Sequence, residues 1–264
     1  RCLTMAGLTK EDIIHVCYGY GLFTGGLGAD FAAQRIGAMV VPMSAGNTAR
    51  QIMCMEDFGA TALACTPSYA LYLAESIAEA GKVDAMKLRV GIHGAEPWTE
   101  EMRKKIQDIL HIECFDIYGL CEITGPGVAM DCRQHKGLHI NHDFFYPEIL
   151  DPITHEPMDD GELGELVFTT LEKEGMPLLR YRTKDLTSID YSTCECGRTL
   201  PRISKFKGRT DDMKVIRGVN VFPTQVETVL LSMGGDISNH YQMIVDRENN
   251  ADRLTVMVEV CDSV

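Results

Sequence analysis

An α/β fold built on a mostly parallel sheet is predicted by three observations. Short apolar runs suited to buried strands recur at residues 13–17, 38–42, 61–65, 88–92 and 112–117. Segments with helical spacing of apolar residues and clear start signals lie between them, and such alternation gives a parallel sheet covered by helices. Beyond Gly127 the alternation ends, and short runs separated by turns at 151–152, 159–161 and 174–175 take over, a pattern of antiparallel strands.

In chain order, the strand at 13–17 runs into a loop, YGYGLFTGGLG over 18–28, in which glycines alternate with aromatics. Its three aromatics either line an apolar ligand pocket or belong to the core, and its glycine spacing does not give the dinucleotide-binding fingerprint. Residues 29–36 read as helix. Asn47 caps a helix through Phe58, and Thr66-Pro67 opens another in which Tyr69, Leu71, Leu73 and Ile77 carry the pattern to Gly81. Thr99 caps a helix over 99–110 with Met102, Ile106, Ile109 and Leu110 on one face. Later runs at 148–150, 165–170, 178–181 and 186–190 read as strands, 207–220 as a charged, glycine-rich linker, 225–232 as helix, and 241–245 with 254–260 as a strand pair. The expected organisation is an α/β part over 1–128, a β subdomain over 129–207, and a hinge followed by the start of a small α+β domain over 208–264.

A chain of 264 residues with 25 Lys+Arg against 38 Asp+Glu carries a net charge of −13. That balance argues against nucleic acid or an anionic membrane as partner, and no apolar run reaches the roughly 20 residues of a membrane span. The expectation is a cytoplasmic protein. The chain opens on Arg1 and stops just after the run 254–260, so it reads as a fragment. Of its ten cysteines, Cys17, Cys54, Cys65 and Cys114 sit in apolar or helical patterns, as small buried thiols do. Cys194 and Cys196 form a close pair that, with Cys132 and His139, offers a four-coordinate Cys₃His zinc site, His135 being the substitute ligand. The alternative is an unligated pair in a turn. Four protein ligands would make such a zinc structural.

Three stretches bear on nucleotide chemistry. DIYGLCEITGPG (116–127) places an aromatic, Tyr118, and a carboxylate, Glu122, at the end of a strand; the pair can stack a base and hold Mg²⁺, or form a solvated turn. Asp185 in YRTKD can accept ribose hydroxyls, or be a turn aspartate with a salt bridge. GRTDDMKVIRGVN (208–220) is either a solvated linker or a hinge with a ribose-contacting arginine.

YGLCE, YRTKD and GRTDDMKVIRGVNVFPTQVE, in this order, resemble signature motifs of the adenylate-forming enzymes, the superfamily of acyl-CoA synthetases, luciferases and peptide-synthetase adenylation domains. With YGYGLFTGGLG, TPSYAL, GAEPWTEEMR and PLLRYRTKDLT added, the whole chain is similar to the phenylacetate-CoA ligase family. The resemblance implies an acid–thiol ligase using ATP, Mg²⁺ and CoA, with an aryl acid as substrate, AMP as product and a homodimer as assembly. It implies that Glu122 binds Mg²⁺ and that Tyr118, Gly119 and Cys121 lie against the nucleotide. Gly94, Ala95 and Glu96 would wall the adenine, while Asp185 and Arg209 hold the ribose. Asp211 would be the hinge between adenylation and thioester formation, Gly218 would line the pantetheine tunnel, and Tyr18 and Phe23 would face the aryl ring. Family members differ in whether they carry a zinc.

Two departures qualify this. Cys121 stands where a hydroxyl commonly touches the α-phosphate, and a thiol is a weaker donor. The family's phosphate loop and C-terminal lysine are not found within these residues, so poor adenylation by the fragment alone is expected. The rival readings are a ligase for another aryl or indolyl acid and a non-catalytic nucleotide- or acyl-binding remnant.

Overall fold

The computed structural model describes residues 1–21, 23–211, 214–216, 219–221, 223–233, 237–248 and 251–260. A short helix, α1 (Cys2–Met5), precedes the first β/α units: β1 (Ile13–Val16), α2 (Thr24–Ile36), β2 (Met39–Pro42), α3 (Thr48–Asp57), β3 (Ala62–Cys65), α4 (Pro67–Glu79), β4 (Val90–Gly94), α5 (Glu100–Leu110) and β5 (Glu113–Leu120). These five strands pair in parallel in the order β2-β1-β3-β4-β5. The order reverses between β1 and β3, and in open α/β sheets ligands bind at such a switch, beyond the carboxyl ends of the strands.

The strands alternate their faces as period two demands. Ile14 and Val16 of β1, Ala62 and Ala64 of β3 and Phe115 of β5 join the core with α1 and α2. Leu63, Cys65 and Cys114 face the opposite way, against Leu73 and Ile77 of α4 and Ile106 of α5. Two of the expected caps hold: the Asn47 side chain accepts from the Arg50 amide and Thr99 from the Met102 amide; Thr66 precedes α4 with Pro67 in its first turn, but its side chain makes no capping bond. The aromatic–glycine loop is shorter than expected, because α2 begins at Thr24 rather than Ala29. Gly26 and Gly28 serve close packing, since a Cβ would sit 2.5 Å from the Gly19 carbonyl and 2.5 Å from Pro126 Cγ respectively.

Antiparallel strands follow: β6 (Gly125–Asp131), β7 (Leu138–Ile140), β8 (Phe145–Leu150), β9 (Gly164–Thr170), β10 (Tyr181–Thr187), β11 (Ile189–Asp190), β12 (Arg202–Ile203) and β13 (Gly208–Arg209). Residues 129–207 therefore serve two sheets. β6, β7, β12 and β11 extend the first to nine strands, while β8, β9, β10 and β13 make a second sheet of four. The expected strands at 178–181 and 186–190 give way to β10, which runs unbroken through Asp185 because a register shift between Arg182 and Leu186 absorbs the irregularity. Leu166, Phe168, Val128, Ile140 and Ile203 fill the space between the sheets.

Within the expected linker, β14 (Lys214–Ile216) and β15 (Val219–Val221) form a hairpin. Helix α6 (Pro223–Met233) and the antiparallel pair β16 (Ile237–Glu248) and β17 (Ala251–Val260) follow. No helix among the described residues is long and apolar enough to cross a membrane.

Candidate functional site

β5 ends in the residues that organise the site. The Tyr118 phenol donates to Asp185 Oδ2 at 2.6 Å, and its ring lies against Phe206 with centroids 4.5 Å apart. Asp185 reaches it from β10 with Lys184 in the left-handed region at φ 70°. Arg209, directly across the β10–β13 pairing from Asp185, donates from Nη1 to Asp185 Oδ1 at 3.0 Å. Its Nε and Nη2 are held by Asp211 Oδ1 and Oδ2, both at 2.9 Å. One guanidinium thus links two carboxylates, one on β10 and one two residues beyond Arg209. Burial pushes the Asp185 carboxyl above its ordinary range, against the Tyr118 and Arg209 contacts that favour the carboxylate. The hydrogen bonds and charge of Arg209 hold the Asp211 carboxyl below its ordinary range.

β4 brings Gly94, Ala95 and Glu96 beside this group. A Cβ on Gly94 would lie 1.9 Å from the Ile117 carbonyl, and one on Gly119 would lie 1.9 Å from the Gly125 carbonyl, so both positions require glycine. Ala95 adopts a φ of 73°, an uncommon conformation that costs on the order of 1 kcal/mol and clusters at functional sites. The Glu96 carboxylate accepts from the Ser68 amide in the first turn of α4, at 3.3 Å.

In the turn after β5, Cys121 and Glu122 are exposed. Cys121 Sγ lies 3.1 Å from Thr24 Oγ1, at the first residue of α2. Tyr18 is buried and Phe23 is 40% exposed, their ring centroids 6.2 Å apart. A single cleft runs along Tyr18, Phe23, Ala95, Ile117, Gly119 and Cys121. The expected aryl contacts Tyr18 and Phe23 therefore border one space with Ala95, Gly119 and Cys121, while Gly94, Glu96, Tyr118, Asp185 and Arg209 are not among its lining residues. Gly218 lies outside the described residues.

The sequence reading missed Thr24 and Phe206. Thr24 supplies a hydroxyl beside the thiol that departs from the family pattern, and nothing in GLFTGG marks it. Phe206 stands alone between Lys205 and Lys207, and an aromatic flanked by cations was the available signal.

Cys132, His139, Cys194 and Cys196 come together as expected, with every ligand atom within 4.8 Å of the others. Cys132 Sγ and Cys194 Sγ are 3.9 Å apart, and Cys196 Sγ is 3.5 Å from His139 Nε2. Tetrahedral zinc with bonds of about 2.3 Å to sulfur and about 2.0 Å to nitrogen would place such pairs roughly 3.8 and 3.5 Å apart. His139 Nδ1 lies 3.3 Å from the Leu200 carbonyl, the contact that leaves Nε2 free as a ligand. Burial raises the Cys132 thiol to about 12; burial also opposes ionisation at Cys196, but hydrogen bonding to Arg198 and the neighbouring thiols lowers it to about 7. His135 does not substitute. Its Nδ1 is 2.8 Å from Asp131 Oδ2 and 2.7 Å from Arg103 Nη1, in a separate ion network.

The AMP-binding enzyme model matches residues 1–171, and the model of the AMP-binding enzyme C-terminal domain matches 218–264. The chain belongs to the AMP-binding enzyme family. Among characterised members, it is 49% identical to the phenylacetate-coenzyme A ligase of Thermus thermophilus over 99% of this chain and 59% of the relative. It is 51% identical to that of Pseudomonas putida over 98% of this chain and 59% of the relative, so it spans about three fifths of the length of these AMP-binding enzymes. Of the solved structures, 2-hydroxyisobutyryl-CoA ligase in the postadenylation state with 2-HIB-AMP superposes with a TM-score of 0.91 at 27% identity, covering 100% of this chain and 57% of that one. Against the same ligase in the thioesterification state, with 2-HIB-AMP and CoA, the score is 0.77 at 28% identity, over the same shares of the two chains.

Proposed function

We propose that this chain is the acyl- and nucleotide-binding part of an ATP-dependent aryl-acid CoA ligase, with phenylacetate as the acid. The observation that carries the reading is the identity of about half of all positions with phenylacetate-coenzyme A ligases, sustained along the whole chain. In the reaction, a carboxylate oxygen of the acid attacks the α-phosphorus of ATP and pyrophosphate leaves. The CoA thiolate then attacks the acyl carbon and AMP leaves. Both steps depend on positioned charge and proximity rather than on an acid–base pair.

Each residue set has a part. The Tyr118 and Phe206 rings border the adenine together with residues 94–96. The Asp185 carboxylate, oriented by Tyr118 and Arg209, has lone pairs left for the ribose hydroxyls. Tyr18 and Phe23 flank the aryl ring at the other end of the cleft. Cys121 and Thr24 present a thiol and a hydroxyl towards the α-phosphate. Glu122, exposed in the turn after β5, is the carboxylate that would hold Mg²⁺, which supplies charge neutralisation to the phosphate oxygens. Asp211 acts as the hinge between the two half-reactions, and the two TM-scores support an adenylation-side pose here. Gly218 would approach pantetheine in the other pose. Cys132, His139, Cys194 and Cys196 would hold a structural zinc that ties β7 to the segment after β11. A cytoplasmic homodimer belongs to the same reading.

Pyrophosphate release with phenylacetate, ATP and Mg²⁺ tests it, measured on this chain and on a version extended to the length of its relatives. Phenylacetate-dependent release by the extended protein supports the reading. Release that is indifferent to phenylacetate but stimulated by another aryl acid would reassign the substrate.

A further inference from the structure

A second cleft, of about 210 Å³, opens where β7, β11 and β12 meet at the edge of the nine-stranded sheet, next to the Cys/His cluster: Arg202 pairs across the sheet with His139, and Lys136 binds Glu195 between Cys194 and Cys196. Its lining includes Lys136, Arg202 and Lys205 against one carboxylate, Asp190, with Ser188 and Ser204 between them. Three cations gather here on a chain of net charge −13, each paired with one carboxylate: Lys136 with Glu195, Arg202 with Asp190 and Lys205 with Glu100.

Arg202 makes the cleft more than a basic patch. It is 5% exposed, yet only Nη2 of its guanidinium is used: that nitrogen donates to the Asp190 carboxylate, to Ser192 O at 3.4 Å and to Ser192 Oγ at 2.9 Å. Nε is buried without a hydrogen-bond partner, and Nη1 makes no hydrogen bond among the described residues. A buried donor left unpaired costs about 1–3 kcal/mol, so Asp190 and Ser192 do not saturate this guanidinium. The two lysines are held only loosely. Lys136 Nζ pairs with Glu195 at 2.7 Å and Lys205 Nζ with Glu100, and both carboxylates are more than half exposed. Exposed pairs of this kind are worth about 0–1 kcal/mol, so the ammonium groups can turn to a better acceptor. Hydroxyls complete the lining, with Ser188 Oγ 3.2 Å from Ser204 Oγ and Thr187 Oγ1 2.9 Å from it. The volume equals that of several waters at about 30 Å³ each, enough for a tetrahedral oxyanion.

We propose that the cleft bounded by Lys136, Arg202, Lys205, Ser188 and Ser204 is a phosphate-binding site, distinct from the site that holds the nucleotide. Its ligand is a phosphate dianion, either inorganic or the terminal monoester of a larger molecule. Arginine forks and lysine point charges match that chemistry, and serine hydroxyls can donate to the remaining oxygens. The proposal does not depend on the ligase reading.

The test is calorimetric titration of the chain, in a buffer free of phosphate, with inorganic phosphate, CoA and dephospho-CoA in separate arms. Lys136→Met with Lys205→Met is the main variant, because both side chains are exposed enough to change without unfolding the protein; Arg202→Met is the second. Binding of inorganic phosphate that falls about tenfold or more in the double variant supports the site with the free ion as ligand. A preference for CoA over dephospho-CoA that disappears in the double variant supports it with a phosphate monoester as ligand. Absence of binding in the phosphate and CoA arms overturns the proposal, as does binding that the double variant and Arg202→Met leave unchanged. Failure of the ligase assay alone changes none of these outcomes.

Discussion

The Tyr118 phenol and the Asp185 carboxylate meet at 2.6 Å although 67 residues separate them, and their bond crosses from the nine-stranded sheet to the four-stranded one. The contact fixes the carboxylate in one orientation and leaves lone pairs on both oxygens. Asp185→Asn keeps the shape but removes the charge, so a charge-assisted bond worth about 1.5–3 kcal/mol becomes an ordinary one. The expected outcome is an AMP affinity about ten- to a hundredfold weaker with the fold retained, read by calorimetry and circular dichroism. Unchanged AMP affinity would remove Asp185 from the ribose role.

Asp116, earlier in the same strand, gives a pH signature. Burial raises its carboxyl from 3.8 to about 6, with the Asp131 charge adding to the shift. A carboxyl raised in the folded state stabilises the fold in its protonated form. That contribution is complete below the unfolded value and is lost as pH rises through about 6. Asp116→Asn, a neutral mimic, should therefore stabilise the protein by about 1–3 kcal/mol at pH 7 and above. The gain should vanish near pH 3.5. Thermal unfolding at both pH values checks this, and an equal gain at both would assign it to something other than ionisation.

Much of this site was legible because its parts are local. Tyr118, Gly119 and Glu122 sit within five residues, and strand–helix alternation places β4 and β5 side by side without long-range information. Cys132, His139, Cys194 and Cys196 were legible for another reason: thiols and imidazoles in polar β segments have few roles in a reduced protein. What was hidden depends on sheet pairing. β11 and β12 join the large sheet rather than the second one, and the sequence pattern of a two-residue strand carries no register. Thr24 enters the site from the start of α2, against Cys121, and Phe206 from the segment between β12 and β13; the α2 start at Thr24 is masked by three glycines whose propensity is poor but whose smallness lets the helix touch Pro126.

Metal content separates the zinc reading from an unligated cluster. Protein prepared without added zinc should contain about one equivalent, and His139→Ala or Cys196→Ser should lower it together with the melting temperature, since ligand sites of this type contribute directly to folding. Well under one equivalent in the unmodified protein, with no response of the melting temperature to a chelator, would count against a metal there.

The hinge assignment predicts a split between half-reactions. Asp211 is exposed, and its carboxylate is bound to Arg209. Asp211→Pro restricts φ at that point and should spare acyl-adenylate formation while slowing thioester formation in the extended protein. Pyrophosphate release and acyl-CoA production, measured separately, decide the matter; equal loss of both would place Asp211 in adenylation instead.

The largest stability effect is expected at Arg103. Its side chain is 4% exposed, with Nη1 bonded to Asp131 Oδ2 at 2.8 Å and to the Cys114 carbonyl at 2.7 Å, and its guanidinium lies 4.7 Å from the Trp98 ring centre. Arg103→Met would leave Asp131, itself 3% exposed, a buried charge with its main partner gone. Breaking such a pair from one side costs about 3–5 kcal/mol, a fall in melting temperature of roughly 6–20 °C for a chain of this size. Replacing both partners, Arg103→Met with Asp131→Leu, removes the stranded charge and should recover part of the loss. Recovery should be incomplete, because Asp131 Oδ1 also accepts from the Asp116 amide at 3.0 Å and leucine leaves that donor unpaired. A double variant no more stable than Arg103→Met would mean that the stranded Asp131 charge contributes little, and that the loss lies in the Cys114 and Trp98 contacts.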